Sequence, residues 1–127
     1  MIYLLINALP IALATLAGML VTTSGWRSAR GAALVPVALA QLWLAAILAG
    51  ALIVAPVKAG LWTVTLMTPL VIWSGFVLPA IVTGYRLREL DWRAVGRDAA
   101  LLLAVMLVQA VVLRLVGVVA PHPAVAP

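Results

Sequence analysis

Residues 99–120 read AALLLAVMLVQAVVLRLVGVVA, an almost unbroken apolar stretch that contains one amide and one charge. A helix needs roughly 20 mainly apolar residues to cross the hydrocarbon core of a bilayer. Three further stretches of this kind precede it, over residues 2–23, 32–55 and 61–84. The sequence therefore predicts an all-α integral membrane protein in which four transmembrane helices form an antiparallel bundle, as a single transmembrane domain over residues 1–127.

The composition excludes an ordinary soluble domain. Hydrophobic residues make up 67% of the chain and charged residues only 9%, and a soluble domain of this size has too little interior to bury that much apolar surface. The first stretch lacks the basic segment of a cleaved signal peptide and is longer than the apolar core of one. We therefore expect it to remain as the first membrane helix.

Basic residues are concentrated in two of the three predicted loops. The first and third loops carry six arginines: Arg27, Arg30, Arg86, Arg88, Arg93 and Arg97. The second loop carries only Lys58. Because short loops rich in lysine and arginine stay in the cytoplasm, we expect loops 24–31 and 85–98 to be cytoplasmic and both termini to be periplasmic, in a bacterial inner membrane. The net charge of +5 then reflects topology and contact with anionic lipids, and a nucleic-acid partner is excluded.

Few residues in the chain are able to hold a cofactor. The sequence contains no cysteine, which excludes disulfides and iron–sulfur clusters. The one histidine, His122, follows the last span between two prolines, so no imidazole inside the membrane is available to bind haem. We predict no cofactor and no metal site.

All three acidic residues, Glu89, Asp91 and Asp98, lie in the third loop. Asp91 stands where it could cap a helix that begins at Trp92, so we expect the last helix over residues 92–120. Pairing with the neighbouring arginines is a better interpretation of these acids than a catalytic carboxylate site, because exposed charge runs are usually solvated. We therefore do not expect an enzyme.

Aromatic and small residues suggest how the helices are anchored and packed. Four aromatic residues at span ends are expected to anchor at the headgroup level: Trp26, Trp62, Tyr85 and Trp92. Trp43 and Trp73 lie deeper, where each indole N–H needs an acceptor. Small residues recur four apart in three spans and allow helices to approach closely, as at Ala14 and Gly18, Ala46 and Gly50, and Ala80 and Gly84.

Polar residues inside the spans are the strongest candidates for a functional role, because each is costly in hydrocarbon. Gln41 and Gln109 fall at a similar depth, counted at about 1.5 Å per residue, so they are expected to hydrogen-bond across helices. Asn7, Thr65 and Arg114 share a second level, nearer the outer interface, and are candidates for contact with lipid or a partner. Arg114 has no acid on its side of the membrane. It either extends outward to water or contacts a lipid phosphate, the C-terminal carboxylate or a partner subunit.

The chain resembles, over most of its length, a bacterial family of small four-helix membrane proteins catalogued as domain of unknown function 1761. The residues that carry the resemblance are Asn7, Gly18, the turn Ser24-Gly25-Trp26, and the stretch from Leu70 through Tyr85-Arg86 and Asp98 to Gly117. The chain departs from the family at Met19-Leu20, where a Trp-Tyr pair is usual. The resemblance implies a four-helix fold without an assigned activity.

Two functions of different classes fit this sequence. The first is a non-catalytic accessory or structural subunit that packs against a larger membrane complex, such as a respiratory or photosynthetic one. The second is a small transporter or channel that forms its pathway between copies of the chain, because four helices are too few to enclose a pore alone. In that case the pathway would be lined by Gln41, Gln109, Asn7 and Arg114.

Overall fold

The computed structural model describes residues 2–26 and 31–121. Every regular element within these residues is helical. The six α-helices are α1 (Ile2–Ile6), α2 (Ala8–Gly25), α3 (Leu34–Val54), α4 (Leu61–Ile72), α5 (Leu78–Leu87) and α6 (Trp92–Val116). Short 3-10 helices, Gly31–Ala33 and Val57–Ala59, precede α3 and α4. A π-helical turn, Trp73–Val77, joins α4 to α5, and we call the resulting unit, Leu61–Leu87, the α4–α5 rod.

Four helical units are long and apolar enough to cross a membrane, as the sequence predicts. They are Ala8–Gly25, Gly31–Val54, Leu61–Leu87 and Trp92–Val116. The arginines of the first loop, Arg27 and Arg30, and the single histidine, His122, lie outside the described residues. The described part of the chain is therefore all-helical, and by length and composition its helices are those of a multi-pass membrane protein.

The predicted spans differ from the observed helices by one to three residues at several ends, and by more at two places. The first predicted span, 2–23, is interrupted at Asn7, because Pro10 has no N–H to donate to the Ile6 carbonyl and its ring crowds that carbonyl. The last helix ends at Val116 and not at residue 120, since Gly117 adopts a φ of 93°, which only glycine takes without strain. The chain then leaves the helix axis.

The π turn lies between two prolines of the α4–α5 rod. Pro69 is inside α4 and Pro79 is the second residue of α5, so each removes a backbone donor from the rod. The backbone N–H of Leu78 donates to the carbonyl of Trp73, five residues earlier, across this region. The wider turn thus keeps the rod helical where the regular bonding pattern is broken.

Helix α6 is the centre of the bundle and contacts α2, α3, α4 and α5. It runs antiparallel to α2, because Asn7 meets Val119 at one end while Trp26 meets Asp98 at the other. We call the two ends of the bundle the Asp98 end and the Arg114 end. The main core contains mostly small and branched apolar side chains: Ile11, Ala14, Ala45, Ala46, Leu48, Ala49, Leu52, Met106 and Leu113.

The three predicted pairs of small residues have different surroundings. Ala14 is fully buried, and its partner Gly18 is buried on the same face of α2. Ala46 is buried, and the ring of Tyr3 packs over Gly50 on α3. The third pair lies in α5, where Ala80 is exposed and a Cβ added at Gly84 would meet no atom of the described residues within 4 Å. Two strips therefore pack inside the bundle, and the third faces outward.

Candidate functional site

The two glutamines predicted to pair do meet, in the middle of the bundle. Gln109 Nε2 on α6 donates to Gln41 Oε1 on α3 over 2.9 Å and to the Gln41 carbonyl over 3.2 Å. Gln41 Nε2 in turn donates to Thr22 Oγ1 on α2 over 3.2 Å, and that hydroxyl donates to the Gly18 carbonyl over 2.8 Å. The role of Thr22 in this network was not predicted from the sequence, although Thr22 lies one helical turn after Gly18 on α2. The chain of bonds joins three helices.

Gly18 leaves the space in which the two amides meet. A Cβ at this position would lie 2.6 Å from Gln109 Nε2 and 2.8 Å from Gln41 Oε1, distances that are shorter than any ordinary contact. Gln109 is fully buried, and its Oε1 has no hydrogen-bond partner among the described residues. The amide network is therefore tightly packed, and one acceptor in it is unused.

Asp98 is held by two aromatic residues that were expected only to anchor the spans. Trp26 Nε1, at the end of α2, donates to Asp98 Oδ1 over 2.9 Å, and the Tyr85 hydroxyl on α5 donates to Asp98 Oδ2 over 2.8 Å. Arg97 Nε lies 3.4 Å from Oδ1 but is largely exposed, whereas the Asp98 side chain is only 14% exposed. The carboxylate therefore links α2 and α5 to α6.

The expectation that every acid pairs with a neighbouring arginine is correct only for Asp98. Glu89 and Asp91 are exposed and form no ion pair with the described residues. Asp91 occupies the N-cap position of α6, but its side chain accepts no capping bond there. Asp98 lies within α6 next to Arg97, whereas Glu89 and Asp91 lie in the exposed segment between α5 and α6.

The remaining tryptophans occupy different environments. Trp62 at the start of α4 and Trp92 at the start of α6 are about half exposed, and the Arg86 guanidinium lies 4.8 Å from the centre of the Trp92 ring. Trp73 Nε1 donates to the Ala99 carbonyl over 2.8 Å, so it has the acceptor that its depth requires. Trp43 is 62% exposed on the outer surface of α3.

Asn7 and Arg114, which the sequence placed at one level, bind separate partners. Asn7 Nδ2 donates to the Val119 carbonyl over 2.8 Å, and the Val119 N–H donates to Asn7 Oδ1 over 2.6 Å. Arg114 Nε donates to Thr65 Oγ1 over 2.7 Å. The Asn7 side chain thus holds the segment after α6, and the Thr65 hydroxyl fixes the arginine against α4.

Two cavities adjoin these polar groups. We call Asp98, Trp26 and Tyr85 the Asp98 cluster. One cavity of about 440 Å³ lies between this cluster and the glutamines, and its polar lining comes from Thr22, Trp26, Gln41 and Tyr85. The other, about 110 Å³, lies at the Arg114 end and is lined by Arg114 and by apolar residues of α3, α4 and the loop between them. Within the described residues, no three histidine, cysteine or acidic side chains come close enough to hold a metal ion.

The polar groups inside the spans are engaged mainly with one another. Gln41 with Gln109, Thr65 with Arg114 and Asn7 with Val119 are three separate contacts. Such contacts stabilise helix association and register. No family model matches this chain, and neither a curated protein nor a solved structure matches it.

Proposed function

We propose that this chain is a non-catalytic accessory subunit of the bacterial inner membrane that packs against a larger membrane protein through the α4–α5 rod. The observation that carries the proposal is that most of the surface of this rod is not covered by the other helices. The share of buried residues in its most apolar segment is 17%, against 33% in each of the other three spans. The rod is therefore the span that the chain itself covers least.

The chemistry of this face favours another helix as its neighbour. It carries exposed Ala80 together with Gly75 and Gly84, at which an added Cβ would meet no described atom within 4 Å. Small residues let a second helix approach closely, and close packing is the main source of helix association in lipid. Phe76, which is 74% exposed beside Gly75, supplies a large apolar side chain for such a contact.

The engagement of the polar side chains favours a subunit over a transporter. In a transporter, residues at membrane depth would offer polar atoms to a passing solute. Here Gln41 bonds to Gln109 and Thr22, and Asn7 bonds to the backbone of Val119. These groups support the fold of the bundle, so the surface is left as the part that meets other molecules.

The proposal is tested by purification from the native membrane in mild detergent, followed by mass spectrometry. A larger membrane protein should accompany the wild-type chain in a fixed ratio. Gly84→Leu should reduce its yield about tenfold or more, because the added side chain fills the close-approach surface. Gly96→Leu is the matched control, since Gly96 on α6 also has open space around it. A homo-oligomer with no other protein would overturn the proposal and favour the transporter.

The proposed orientation places the first and third loops in the cytoplasm. Because the chain has no cysteine, single cysteines can be introduced without further changes. Lys58→Cys in the second loop should react with a membrane-impermeant maleimide in spheroplasts, and Arg88→Cys in the third loop should react only after lysis. The reverse pattern would show that the arginine-rich loops face the periplasm.

A further inference from the structure

The Arg114 end of the bundle contains a guanidinium whose donors are mostly unused. Arg114 lies two residues before the end of α6 and is partly buried. Within residues 2–26 and 31–121, its side chain has one hydrogen-bond partner, Thr65, whose hydroxyl oxygen accepts the bond that Nε–H donates. Arginine carries five N–H donors, so the four on its two Nη atoms are left for another acceptor.

Thr65 fixes the orientation of the guanidinium. Its hydroxyl donates to the Leu61 carbonyl over 2.7 Å and accepts from Arg114 Nε over 2.7 Å. Thr65 is fully buried, so this pair holds the near side of the guanidinium against α4. A planar group held in this way presents its remaining N–H groups as a fork that matches two oxygens of one anion.

The same guanidinium lines the cavity of about 110 Å³. The other lining residues are apolar or contribute backbone: Leu52, Ile53, Ala55, Pro56, Gly60, Leu61 and Val64. A charged group facing such a lining needs a compensating charge, because a lone cation next to hydrocarbon is costly. The cavity thus has room for a small anionic group beside the arginine.

Among side chains, the chain offers cations but no acid at this end. Lys58 is exposed in the loop between α3 and α4. Pro56 and Gly60, two residues to either side of it, line the cavity. The three acidic residues of the sequence all lie between positions 89 and 98, at the opposite end of the bundle. Arg114 in the cavity and Lys58, two residues from the lining residues Pro56 and Gly60, are therefore positive charges with no acidic side chain at their end of the bundle.

We infer that this cavity binds the phosphate of one anionic phospholipid, with the Arg114 guanidinium on the phosphodiester oxygens and Lys58 near the headgroup. A phosphodiester has two free oxygens that match the arginine fork. A headgroup without its own cation suits a patch with two positive charges, as in phosphatidylglycerol, better than a zwitterionic one. The apolar side chains of α3 and α4 provide a surface for the acyl chains. This inference is independent of the α4–α5 face and of any partner protein.

Native mass spectrometry of the delipidated full chain tests the inference with three probes: phosphatidylglycerol, phosphatidylcholine and inorganic phosphate. Wild-type protein should retain one phosphatidylglycerol at a lipid concentration where phosphatidylcholine does not bind. Arg114→Gln should lower that occupancy about tenfold or more, because it removes the charge and the fork. Arg93→Gln is the matched control, since it removes one exposed charge at the other end of the bundle.

Thr65→Val provides a second variant, which keeps the charge of Arg114 and the shape of the threonine side chain. Without the hydroxyl, the arginine loses its fixed orientation, and occupancy by phosphatidylglycerol should fall several-fold even if Arg114→Gln does not fold. Equal occupancy in wild type and both variants would overturn the inference. So would equal retention of phosphatidylcholine, or displacement of the lipid by inorganic phosphate at a similar concentration, which would assign the site to a free anion.

Discussion

Replacing Gly18 by alanine tests the packing of the amide network most directly. The added Cβ would lie 2.6 Å from Gln109 Nε2, about 0.8 Å closer than the 3.4 Å at which ordinary contact begins. It would also lie 2.8 Å from Gln41 Oε1. Both amides are buried, and each is the end of a flexible side chain that is held in place by its hydrogen bonds. The substitution must therefore lengthen or break the bonds that Gln109 Nε2 donates to Gln41.

The expected loss of folding free energy is the sum of two destabilising terms and one stabilising term. Overpacking a tight interior typically costs about 1–3 kcal/mol, and an interhelical hydrogen bond in a membrane protein contributes roughly 0.6 kcal/mol. Alanine recovers about 1 kcal/mol because it is the better helix former. The two bonds of Gln109 and the steric term together exceed this recovery. Gly18→Ala should thus lower the free energy of unfolding by ~2 kcal/mol.

The matched control is Gly96→Ala, because an added Cβ there meets no described atom within 4 Å. It should be neutral or stabilising by up to about 1 kcal/mol. Equilibrium unfolding in mixed micelles, with added sodium dodecyl sulfate and tryptophan fluorescence as the signal, compares the two variants. If Gly18→Ala is as stable as Gly96→Ala, the glycine is not required by the glutamines and the argument is wrong.

A double-variant cycle separates the steric effect from other effects of the alanine. Gln109→Ala removes the amide that the new Cβ would meet. Gly18→Ala should therefore cost less in the Gln109→Ala background than in the wild type, with a coupling of about 1 kcal/mol or more between the two sites. Strictly additive costs would show that the alanine acts through some other contact.

Two further variants test the ends of the bundle. Asp98→Asn should lower the free energy of unfolding by about 1–2 kcal/mol, because the bonds from Trp26 and from the Tyr85 hydroxyl would no longer end on a charged group. Asp91→Asn, in the exposed loop, should have little effect in the same micelle titration. Equal effects of the two variants would contradict the role assigned to the Asp98 carboxylate. Asn7→Ala should raise the hydrogen-exchange rate of the Val119 amide about tenfold or more by removing its acceptor, and unchanged exchange would show that the asparagine does not hold this segment.

The spans and the glutamine pair could be predicted because they depend on position along the helix axis. Apolar length alone identifies a span, and a constant rise per residue places Gln41 and Gln109 at similar depth. At that depth there is no water, so two amides have few partners other than each other. The structure brings them together for that reason.

The Asp98 cluster was not predictable in the same way. Trp26 and Tyr85 lie at the ends of predicted spans. At such positions water and lipid headgroups offer many partners for an indole or a phenol, so the sequence predicts only anchoring. The contact with Asp98 depends on how α2 and α5 are arranged around α6. Similarly, the spacing of Ala80 and Gly84 predicts a smooth strip but not the direction in which it faces.

The polar contacts explain how an apolar chain specifies one arrangement of helices. Lipid tails are as apolar as leucine, so burial of leucine barely distinguishes one packing of the helices from another. From α6, Asp98 contacts α5 and the end of α2, Gln109 contacts α3, and Arg114 contacts α4. Val119, in the segment after α6, contacts Asn7 at the start of α2. A wrong neighbour for α6 would leave one of these groups unpaired in hydrocarbon, which is costly.

This division of roles predicts how variants should separate. Gln41 bonds to Gln109 and Thr22 and so orders three helices, and Gln41→Leu should therefore lower stability and any cellular activity together. The outward face of the α4–α5 rod contributes little to the core. Substitutions there, such as Gly84→Leu, should leave the unfolding free energy nearly unchanged and remove only association with a partner. An activity lost through Gln41 at unchanged stability would instead require a role for the glutamine in a transport pathway.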